Sequence, residues 1–529
     1  MPGSNRAHSR RARWWSFAAA VLLVCAVSFA GCGGDATLAG SGPGRVAEFV
    51  PAGSQVYVEI STDLDGGQWR QATDLLGRFP AYRTLLRTAK DTLAAERVEF
   101  DRDIRPLLGE DAAVAVPDVT RSDQPPVLLV VDIEKGKQDE VLRLLRRDGT
   151  IGDRSRDYRG VTVHSSDGLD LAVFDDCLVA STSPATLDAA IDARKDGGDR
   201  SLAGTRKVRQ ALSGLPNEAL AHGYIDLAAI VRSVGARQGP EVRRQIEAIG
   251  IDPDAGLAIS LSVESHGLRM KAVASKVDDA PVLESFSPSL TEHIPSDAVA
   301  YLGAHDLYGM GRAVLARIAE GNSVTQDRIS SVRGALTLLG LPPDELKNLL
   351  SDEAAVALLP ANGSSSLPGA VGILRVGDAG RAAKTLDGVR TSLPVFAGSG
   401  SGLPRFARVG LQNGVTGWEG GLGSGYSVVY GVDRRLALIG SSADVVRSAQ
   451  SPRSRLSDDQ AFRRATDQMP SRVQTIMWID VDAAVRMADR LSPRSLTGEA
   501  RRNLAPVRNI AGWSTVGDHS TFEVFATIG

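Results

Sequence analysis

The spacing of apolar residues predicts a series of short β-strands. Residues 126–133 (PVLLVVDI) form a continuous apolar run, which is typical of a strand buried on both faces. Residues 257–263 instead alternate between larger aliphatic and small side chains, and residues 522–528 alternate in the same way. A period of two predicts a strand with one face in the core, and we expect the aliphatic side chains to form that face. They are Leu257, Ile259, Leu261 and Val263.

A period of 3.6 residues predicts helices between these strands. Apolar side chains recur on one helical face at Tyr82, Leu85, Leu86, Ala89 and Leu93. Residues 138–147 (QDEVLRLLRR) predict a further helix. Because short strands, hairpins and helices are mixed throughout, the pattern favours the α+β class with largely antiparallel sheets.

Three pairs of segments recur in the same order at a nearly constant offset. Residues 103–116 (DIRPLLGEDAAVAV) align without a gap to residues 345–358 (ELKNLLSDEAAVAL). The other two pairs are FVPAGSQVYV with HIPSDAVAYL, and LPNEALAHGYIDLAA with MPSRVQTIMWIDVDA. This self-similarity predicts two tandem, internally duplicated halves, repeat 1 at 47–285 and repeat 2 at 286–529.

Composition and charge argue against nucleic acid as a partner. The 529 residues include 60 Lys and Arg and 63 Asp and Glu, for a formal net charge of −3. Phosphate neutralisation needs a basic surface, and no basic stripe interleaved with aromatics is present in the sequence.

The first residues have the layout of an export signal. Four arginines without an acid precede an apolar stretch at 16–30, which is short for a membrane span. We therefore predict a signal peptide of lipoprotein type at 1–31, with a short transmembrane helix as the alternative. Arg10-Arg11 leaves both the general and the twin-arginine export route open.

Cys32 is the predicted lipid attachment residue. It follows Phe29-Ala30-Gly31, and this FAGC resembles the bacterial lipobox, although cleavage after Ala30 is an alternative. The Gly- and Ser-rich stretch 32–46 then predicts a flexible tether. These features predict an exported protein anchored to the outer face of the bacterial cell membrane, with the membrane as partner through the N-terminal lipid.

The sequence predicts no catalytic, cofactor-binding or metal-binding residue, because no nucleophile elbow, phosphate loop or zinc spacing occurs. Asp226 and Asp480 each follow a strand and predict helix N-caps. The pairs Glu110-Asp111 and Asp352-Glu353 predict solvated turns, or a cation site if the halves face each other. The lone Cys177 predicts a buried strand thiol.

Glycine-rich stretches distinguish the second half from the first. AGSGSGLP near Gly398 and EGGLGSGY near Gly423 do not match a dinucleotide-binding fingerprint and predict flexible loops. If the second half binds a ligand that the first half does not, these loops are the predicted binding place.

Several of these segments together resemble a known family. VPAGSQVYVEI, GGQWR at 66–70, the AAVAV strand and the lipoprotein-type start are similar to the bacterial domain of unknown function 3352. The resemblance implies an exported or membrane-anchored protein over nearly the whole mature chain, and it implies no active site.

The expected function is that of a lipid-anchored cell-envelope protein, a non-catalytic binding or scaffolding module for an envelope protein or polymer. The alternative is an envelope-polymer hydrolase or transferase with a spatially assembled carboxylate site. Two acids with raised pKa values in a deep cleft would favour the enzyme, and a flat or groove-like surface would favour the binding module.

Overall fold

The computed structural model describes residues 43–529, apart from gaps at 96, 121–123, 148, 152–153, 167, 239–255, 275–283, 320–322, 362–366, 398–404, 424–425, 493–495 and 518. Contacts between Cα atoms divide the chain into two compact units. Unit 1 contains the described residues up to 274, and unit 2 contains those from 284 onward.

The strands of unit 1 form an antiparallel sheet. In the described residues they are β1 (Val56–Ser61), β2 (Leu108–Val116), β3 (Leu128–Ile133), β4 (Ser155–Tyr158), β5 (Val161–Ser166), β6 (Leu169–Val173), β7 (Cys177–Ser181), β8 (Ala221–Ile225), β9 (Leu257–Glu264) and β10 (Gly267–Ala274). Their order across the sheet is β4-β5-β6-β7-β3-β2-β1-β8-β9-β10.

Unit 2 repeats this order with its own strands. They are β11 (Ala300–His305), β12 (Glu353–Leu359), β13 (Gly369–Arg375), β14 (Phe406–Gly410), β15 (Thr416–Gly423), β16 (Tyr426–Asp433), β17 (Leu436–Gly440), β18 (Thr475–Asp480), β19 (Val507–Val516) and β20 (Ser520–Ile528). The antiparallel order is β14-β15-β16-β17-β13-β12-β11-β18-β19-β20. The predicted α+β class is therefore confirmed, while an origin of one half by duplication of the other stays a prediction.

Helices connect the strands in both units. Those of unit 1 are α1 (Gly67–Leu76), α2 (Pro80–Ala95), α3 (Gln138–Arg147), α4 (Pro184–Asp196), α5 (Arg206–Leu212) and α6 (Leu227–Gln238). Those of unit 2 are α7 (Leu307–Ala319), α8 (Ser323–Leu338), α9 (Pro343–Leu350), α10 (Ala379–Ala397), α11 (Ala443–Gln450), α12 (Gln460–Ala465), α13 (Val481–Leu491) and α14 (Gly498–Leu504). The prediction of a helix at 138–147 is confirmed to the residue.

The main core of each unit lies on one side of its sheet, which we call the inward face. In unit 1 this face carries Tyr57 and packs against α4 and the 3-10 helix Arg45–Phe49. Val46 of that 3-10 helix is fully buried, so the packed part of the chain includes the end of the predicted tether. In unit 2 the inward face carries Tyr301 and Trp478 and packs against α11 and α12.

The continuous apolar run and the alternating pattern both correspond to strands, β3 and β9, but the prediction of which face of β9 is buried is wrong. All six positions of β3 are buried, as its continuous apolar run predicts. In β9 the small residues Ala258 and Ser260 are buried, whereas Leu257, Ile259 and Leu261 are only half-buried. The prediction that the larger aliphatic residues form the core face is therefore wrong for these three positions. They lie on the opposite side, which we call the outward face.

Candidate functional site

The predicted lipid attachment residue Cys32 lies outside the described residues, as does the predicted signal peptide. Within the part of the chain that is described, no helix has the length and apolarity needed to cross a bilayer.

The predicted helix caps are confirmed. Asp226 accepts a hydrogen bond from the backbone N–H of Ala229 at 2.8 Å, and Asp480 accepts one from Ala483 at 2.8 Å. Each carboxylate thus satisfies a backbone donor of the first helical turn, at α6 and α13 respectively.

The thiol of Cys177 is free and fully buried in β7, as predicted. Burial raises the pKa of this thiol, and the nearby acids Asp176 and Asp132 raise it further. An inert buried thiol of this kind is a packing residue.

The two acid pairs differ from the prediction of solvated turns. Glu110 is exposed, but Asp111 and Glu353 are 7% and 3% exposed and lie on the inward faces of β2 and β12. The prediction is therefore wrong for these two carboxyl groups. Among the described residues, no cluster of three or more His, Cys, Asp or Glu side chains could hold a metal ion.

In unit 1, Asp111 lies beside a second buried acid, Glu59 of β1. Glu59 accepts hydrogen bonds from the hydroxyl of Tyr57 at 2.5 Å and from the backbone N–H of Gly44 at 3.2 Å. Oδ1 of Asp111 is buried without a hydrogen-bond partner. A β-carbon built on Gly44 would lie 2.1 Å from Glu59 Oε1 and 3.1 Å from Asp111 Oδ2, so the two carboxyl groups meet under this glycine.

The surroundings favour the protonated form of these acids. Burial raises the pKa of Glu59. Burial and the nearby charge of Glu59 raise the pKa of Asp111 to about 8, with smaller contributions from Asp132 and Glu110. At neutral pH the pair therefore holds at least one proton.

Asp132 of β3 completes this cluster, and its negative charge is better compensated by hydrogen bonds and a cation. It accepts a hydrogen bond from the backbone N–H of Glu110 at 2.9 Å and pairs with Arg45 at 3.4 Å. Arg45 follows Gly44, so two adjacent residues of the entering chain are held by an acid of β1 and an acid of β3.

Unit 2 holds its entering chain in a different way. Glu353 accepts hydrogen bonds from the backbone N–H groups of Ser289 and Leu290, both at 2.8 Å, and from the Ser289 hydroxyl. Arg375, at the position of Asp132, lies 3.7 Å from Glu353. Gly303 stands where unit 1 has Glu59. The equivalent point in unit 2 is therefore a carboxylate paired with a cation, whereas unit 1 has two adjacent buried acids with raised pKa values.

A cavity of about 550 Å³ lies next to the cluster in unit 1. Its walls include two ion pairs, Arg45 with Asp132 at 3.4 Å and Arg194 with Asp176 at 3.3 Å. The other charged residues of the walls are Glu110, Glu134, Lys135 and Asp175, so acids outnumber bases there. Neither Glu59 nor Asp111 lines this cavity. Asp132 does line it, and burial raises the pKa of this acid as well. The cavity therefore holds one acid with a raised pKa, but not the convergent pair Glu59 and Asp111.

The outward face of unit 1 has a different chemical character. Its central positions on five adjacent strands form three rows in which each residue lies directly opposite the next. The rows are Val114, Val58, Gly223, Ile259, Ala272; Val116, Val56, Ile225, Leu257, Ala274; and Ala112, Ile60, Ala221, Leu261, Met270. All of these residues are apolar or glycine.

Unit 2 has the same surface at equivalent register positions. The rows are Val356, Leu302, Met477, Gly512, Val524; Leu358, Ala300, Ile479, Ile510, Ala526; and Ala354, Ala304, Thr475, Ser514, Phe522. None of these residues is charged, and four of the apolar side chains are exposed: Leu302, Val356, Leu358 and Phe522. The outward face thus carries no charged residue in these rows, is largely apolar and is present in both units.

Sequence reasoning missed both features. A charged residue at an inward strand position, Glu59 two residues after Tyr57, is a signal that could have indicated the buried cluster. The Gly-rich stretch near Gly423 is largely strand β15 instead of the predicted loop. Much of the stretch near Gly398 lies outside the described residues.

Comparison with known proteins identifies a family but no activity. The family model described as "Protein of unknown function (DUF3352)" matches residues 16–526. No curated protein matches the chain.

Solved structures of TP0453 are distantly similar to this chain. Crystal form I is 11% identical and crystal form III is 9% identical, each with a TM-score of 0.25. The matches cover 45% of this chain and 81% and 82% of those chains. A TM-score of 0.25 does not establish a shared fold.

Proposed function

The chain belongs to the DUF3352 family of proteins of unknown function, and from that premise we propose that it is a lipid-anchored, non-catalytic binding protein of the bacterial cell envelope. Cys32 carries the lipid, and the envelope component is bound on the apolar outward sheet face. The observation that carries the proposal is this uncharged face, which occurs at equivalent positions in both units.

An apolar face that is exposed in both units favours non-specific association unless it binds a partner. Large exposed apolar patches on a soluble domain promote association and mark binding surfaces. Leu302 is 54% exposed and its counterpart Val58 is 39% exposed, and both lie in the middle of a sheet. Charged residues would be tolerated at such positions, so their absence from the rows of both units supports a binding role.

The anchor supports the same function. Two acyl chains on Cys32, at about 0.8 kcal/mol per buried CH₂, would hold the protein stably on a bilayer. Residues 33–43 could then span at most about 40 Å from the membrane to the folded part. The binding surface would remain close to that membrane.

The alternative, an envelope-polymer hydrolase, has in its favour the convergence of Glu59 and Asp111 with raised pKa values and the raised pKa of Asp132 on the cavity wall. A general acid must reach the bond that it protonates. Glu59 is 2% exposed, and its carboxylate is occupied by Tyr57 and Gly44. A structural role, in which Glu59 holds the entering chain at Gly44, explains the position of the pair without a substrate.

The test of the anchor compares the native chain with Cys32→Ala in cells grown with an alkyne analogue of palmitate. We expect the native chain to carry the label and to fractionate with membranes, and the variant to be unlabelled and released. An unlabelled native chain, or a variant retained equally firmly, would overturn the anchoring. Turnover of an envelope polymer that Asp111→Asn abolishes without unfolding the protein would favour the hydrolase.

A further inference from the structure

We propose that the cavity of unit 1 binds a small aliphatic polyamine, a flexible methylene chain that carries two or more ammonium groups. The cavity, of about 550 Å³, has the size of a small-molecule site. It is separate from the outward face of the sheet. The inference therefore goes beyond the proposed function and depends neither on the lipid anchor nor on that face.

The cavity lies where the ends of neighbouring strands meet two helices. Its strand side consists of residues 109–110 of β2, residues 132–135 at the end of β3, and residues 174–176 between β6 and β7. Its helical side consists of Arg45, from the first 3-10 helix, and Arg194, from α4. Because β3 pairs with β2 on one side and with β7 on the other, the backbone at the two outer strands is about 10 Å apart.

The charges on the walls are unbalanced. The cavity is lined by five acids and three bases, which are Glu110, Asp132, Glu134, Asp175, Asp176, Arg45, Lys135 and Arg194. An anionic ligand would be repelled by this surplus of acids, whereas a cationic ligand is attracted by it.

The two arginines do not offset this surplus, because each is shared between two acids. Arg45 lies 3.4 Å from Asp132 and 4.0 Å from Glu110. Arg194 forms ion pairs with Asp176 and with Glu48, which lies outside the cavity walls.

Two further acids of the walls are exposed and carry no counter-charge. No described residue forms an ion pair with Glu134 or Asp175. They are available to a ligand that enters from solvent.

Asp132 is the buried acid of the walls, with 2% of its surface exposed. Burial raises its pKa, and Glu110 and Asp176 raise it further, in spite of the hydrogen bond from the Glu110 backbone and the charge of Arg45. Oδ2 accepts both of those donors, while Oδ1 has the thiol of Cys177 at 3.9 Å as its donor in the described part of the chain. A thiol donates only a weak hydrogen bond. An ammonium group in the cavity would add the positive charge that this carboxylate needs.

The walls also offer apolar surface to the methylene groups of such a ligand. Ile133 and half-buried Phe174 both line the cavity. The ring of Phe174 is held edge-on to that of Phe49, with 4.9 Å between the ring centroids. Aromatic rings attract cations to their faces, so Phe174 suits an alkylammonium chain better than it suits an anion.

A metal ion fits these walls less well than an organic cation does. Ca²⁺ requires about six to eight oxygen ligands at roughly 2.3–2.6 Å. Among the described residues, no three His, Cys, Asp or Glu side chains lie close enough together to hold a metal ion. Acids on strands about 10 Å apart can instead be reached by separate ammonium groups of one chain.

The test measures spermidine binding to the purified full chain with Cys32→Ser, so that no lipid is attached. Isothermal titration calorimetry is performed at about 0.15 M ionic strength, where weak surface attraction is screened. We expect saturable binding of one spermidine per chain, and slower hydrogen exchange at residues 133–137 and 174–177 on binding. Diacetylspermidine, which keeps the methylene chain but lacks the two terminal charges, should bind at least about tenfold more weakly.

Asp132→Asn is expected to weaken spermidine binding at least about tenfold, because it removes the buried charge and keeps the shape of the side chain. The matched control is Asp91→Asn, at an exposed acid of α2 outside the cavity. It removes the same charge and should leave the affinity unchanged within about twofold. Circular dichroism and thermal unfolding establish that each variant is folded. If Asp132→Asn prevents folding, the double variant Glu134→Gln, Asp175→Asn is read in the same way.

Four results would overturn the inference: binding that does not saturate, equal affinity of the Asp132→Asn and Asp91→Asn variants, equal binding of diacetylspermidine, or displacement of spermidine by an equal concentration of Mg²⁺ or Ca²⁺, which would indicate a metal site. Slower exchange confined to residues outside the cavity would also overturn it. Palmitate labelling at Cys32 in cells tests the anchoring alone, so this inference and the proposed function fail by different measurements.

Discussion

Gly44 donates its backbone N–H to Oε2 of Glu59 at 3.2 Å, and a β-carbon at Gly44 would lie 2.1 Å from Oε1 of the same carboxylate. The entering chain therefore approaches a buried acid more closely than any other residue type would allow. This contact fixes the point at which the predicted tether ends and the packed part of unit 1 begins.

Gly44→Ala is expected to destabilise the protein by about 1–3 kcal/mol, because the new methyl group must displace the Glu59 carboxylate or the backbone of the 3-10 helix. The measurement is the midpoint of denaturant unfolding. Gly53→Ala is the matched control, since nothing lies within 4 Å of a β-carbon there, and it should change stability by less than about 0.5 kcal/mol. Equal effects of the two substitutions would contradict the close approach.

The stability of unit 1 should fall as the pH rises from about 4 to about 8. The pKa of Asp111 is raised to about 8 in the folded protein, so over this range the native state binds more protons than the unfolded state. The contribution is fully present below the unfolded pKa and is lost above the folded one. Asp111→Asn should weaken this dependence, to which the raised pKa of Glu59 also contributes, and should raise stability at pH 8 by about 1–3 kcal/mol.

Denaturant unfolding at pH 5 and pH 8.5 measures this effect. Asp444→Asn is the control, because the Asp444 side chain is 88% exposed and the substitution should not change the pH profile. A native profile that is flat, or that rises with pH through this window, would show that Asp111 is ionised in the folded protein.

Glu353→Ala should destabilise unit 2 by about 2–4 kcal/mol, because it leaves the backbone donors of Ser289 and Leu290 unpaired and removes the partner of Arg375. Hydrogen exchange of the 3-10 helix Leu290–His293 is expected to accelerate. Glu292→Ala, in the same segment but 59% exposed, is the control and should cost less than about 0.5 kcal/mol. Unchanged exchange in Glu353→Ala would refute its role in holding this segment.

Asp480→Ala is expected to cost about 1 kcal/mol through loss of the cap on α13. Asp482→Ala, on the same helix and paired with Arg508 at 3.2 Å on the surface, should cost about half of that or less. Thermal unfolding of the two variants compares these costs. A cost for Asp482→Ala that equals or exceeds that of Asp480→Ala would mean that the cap contributes little.

The sequence predicted the elements well where one local pattern determines one structure. The five apolar residues among the six of β3 and the amphipathic period of α3 identify a strand and a helix without tertiary information. The caps at Asp226 and Asp480 follow from their position between a strand and a helix.

The candidate site was predictable only in part, because it depends on which side of a strand is covered. Alternation in β9 separates two faces, but it does not state which face the helices pack against, so Ile259 and Leu261 were assigned to the core. Asp111 follows an acid in the sequence, which suggested solvent, whereas its burial is set by Gly44 and Glu59, distant along the chain. Such contacts are created by strand register, and local sequence does not encode them.

The entering chain is held by Glu59 and Asp132 in unit 1 and by Glu353, beside Arg375, in unit 2. This difference in charge affects how two halves with the same strand order avoid exchanging strands while they fold. If β12 took the place of β2 in unit 1, Glu353 would lose its partner Arg375 and would lie near Asp132, whose own partner is Arg45. If β2 took the place of β12, Asp111 would meet Arg375, but the Ser289–Leu290 amides would then have to be reached by a shorter side chain. Glu353 keeps its partner Arg375, and the Ser289–Leu290 amides keep their acceptor, only when each half is built from its own strands. Exchange of strands between the halves is therefore disfavoured by the loss of these contacts.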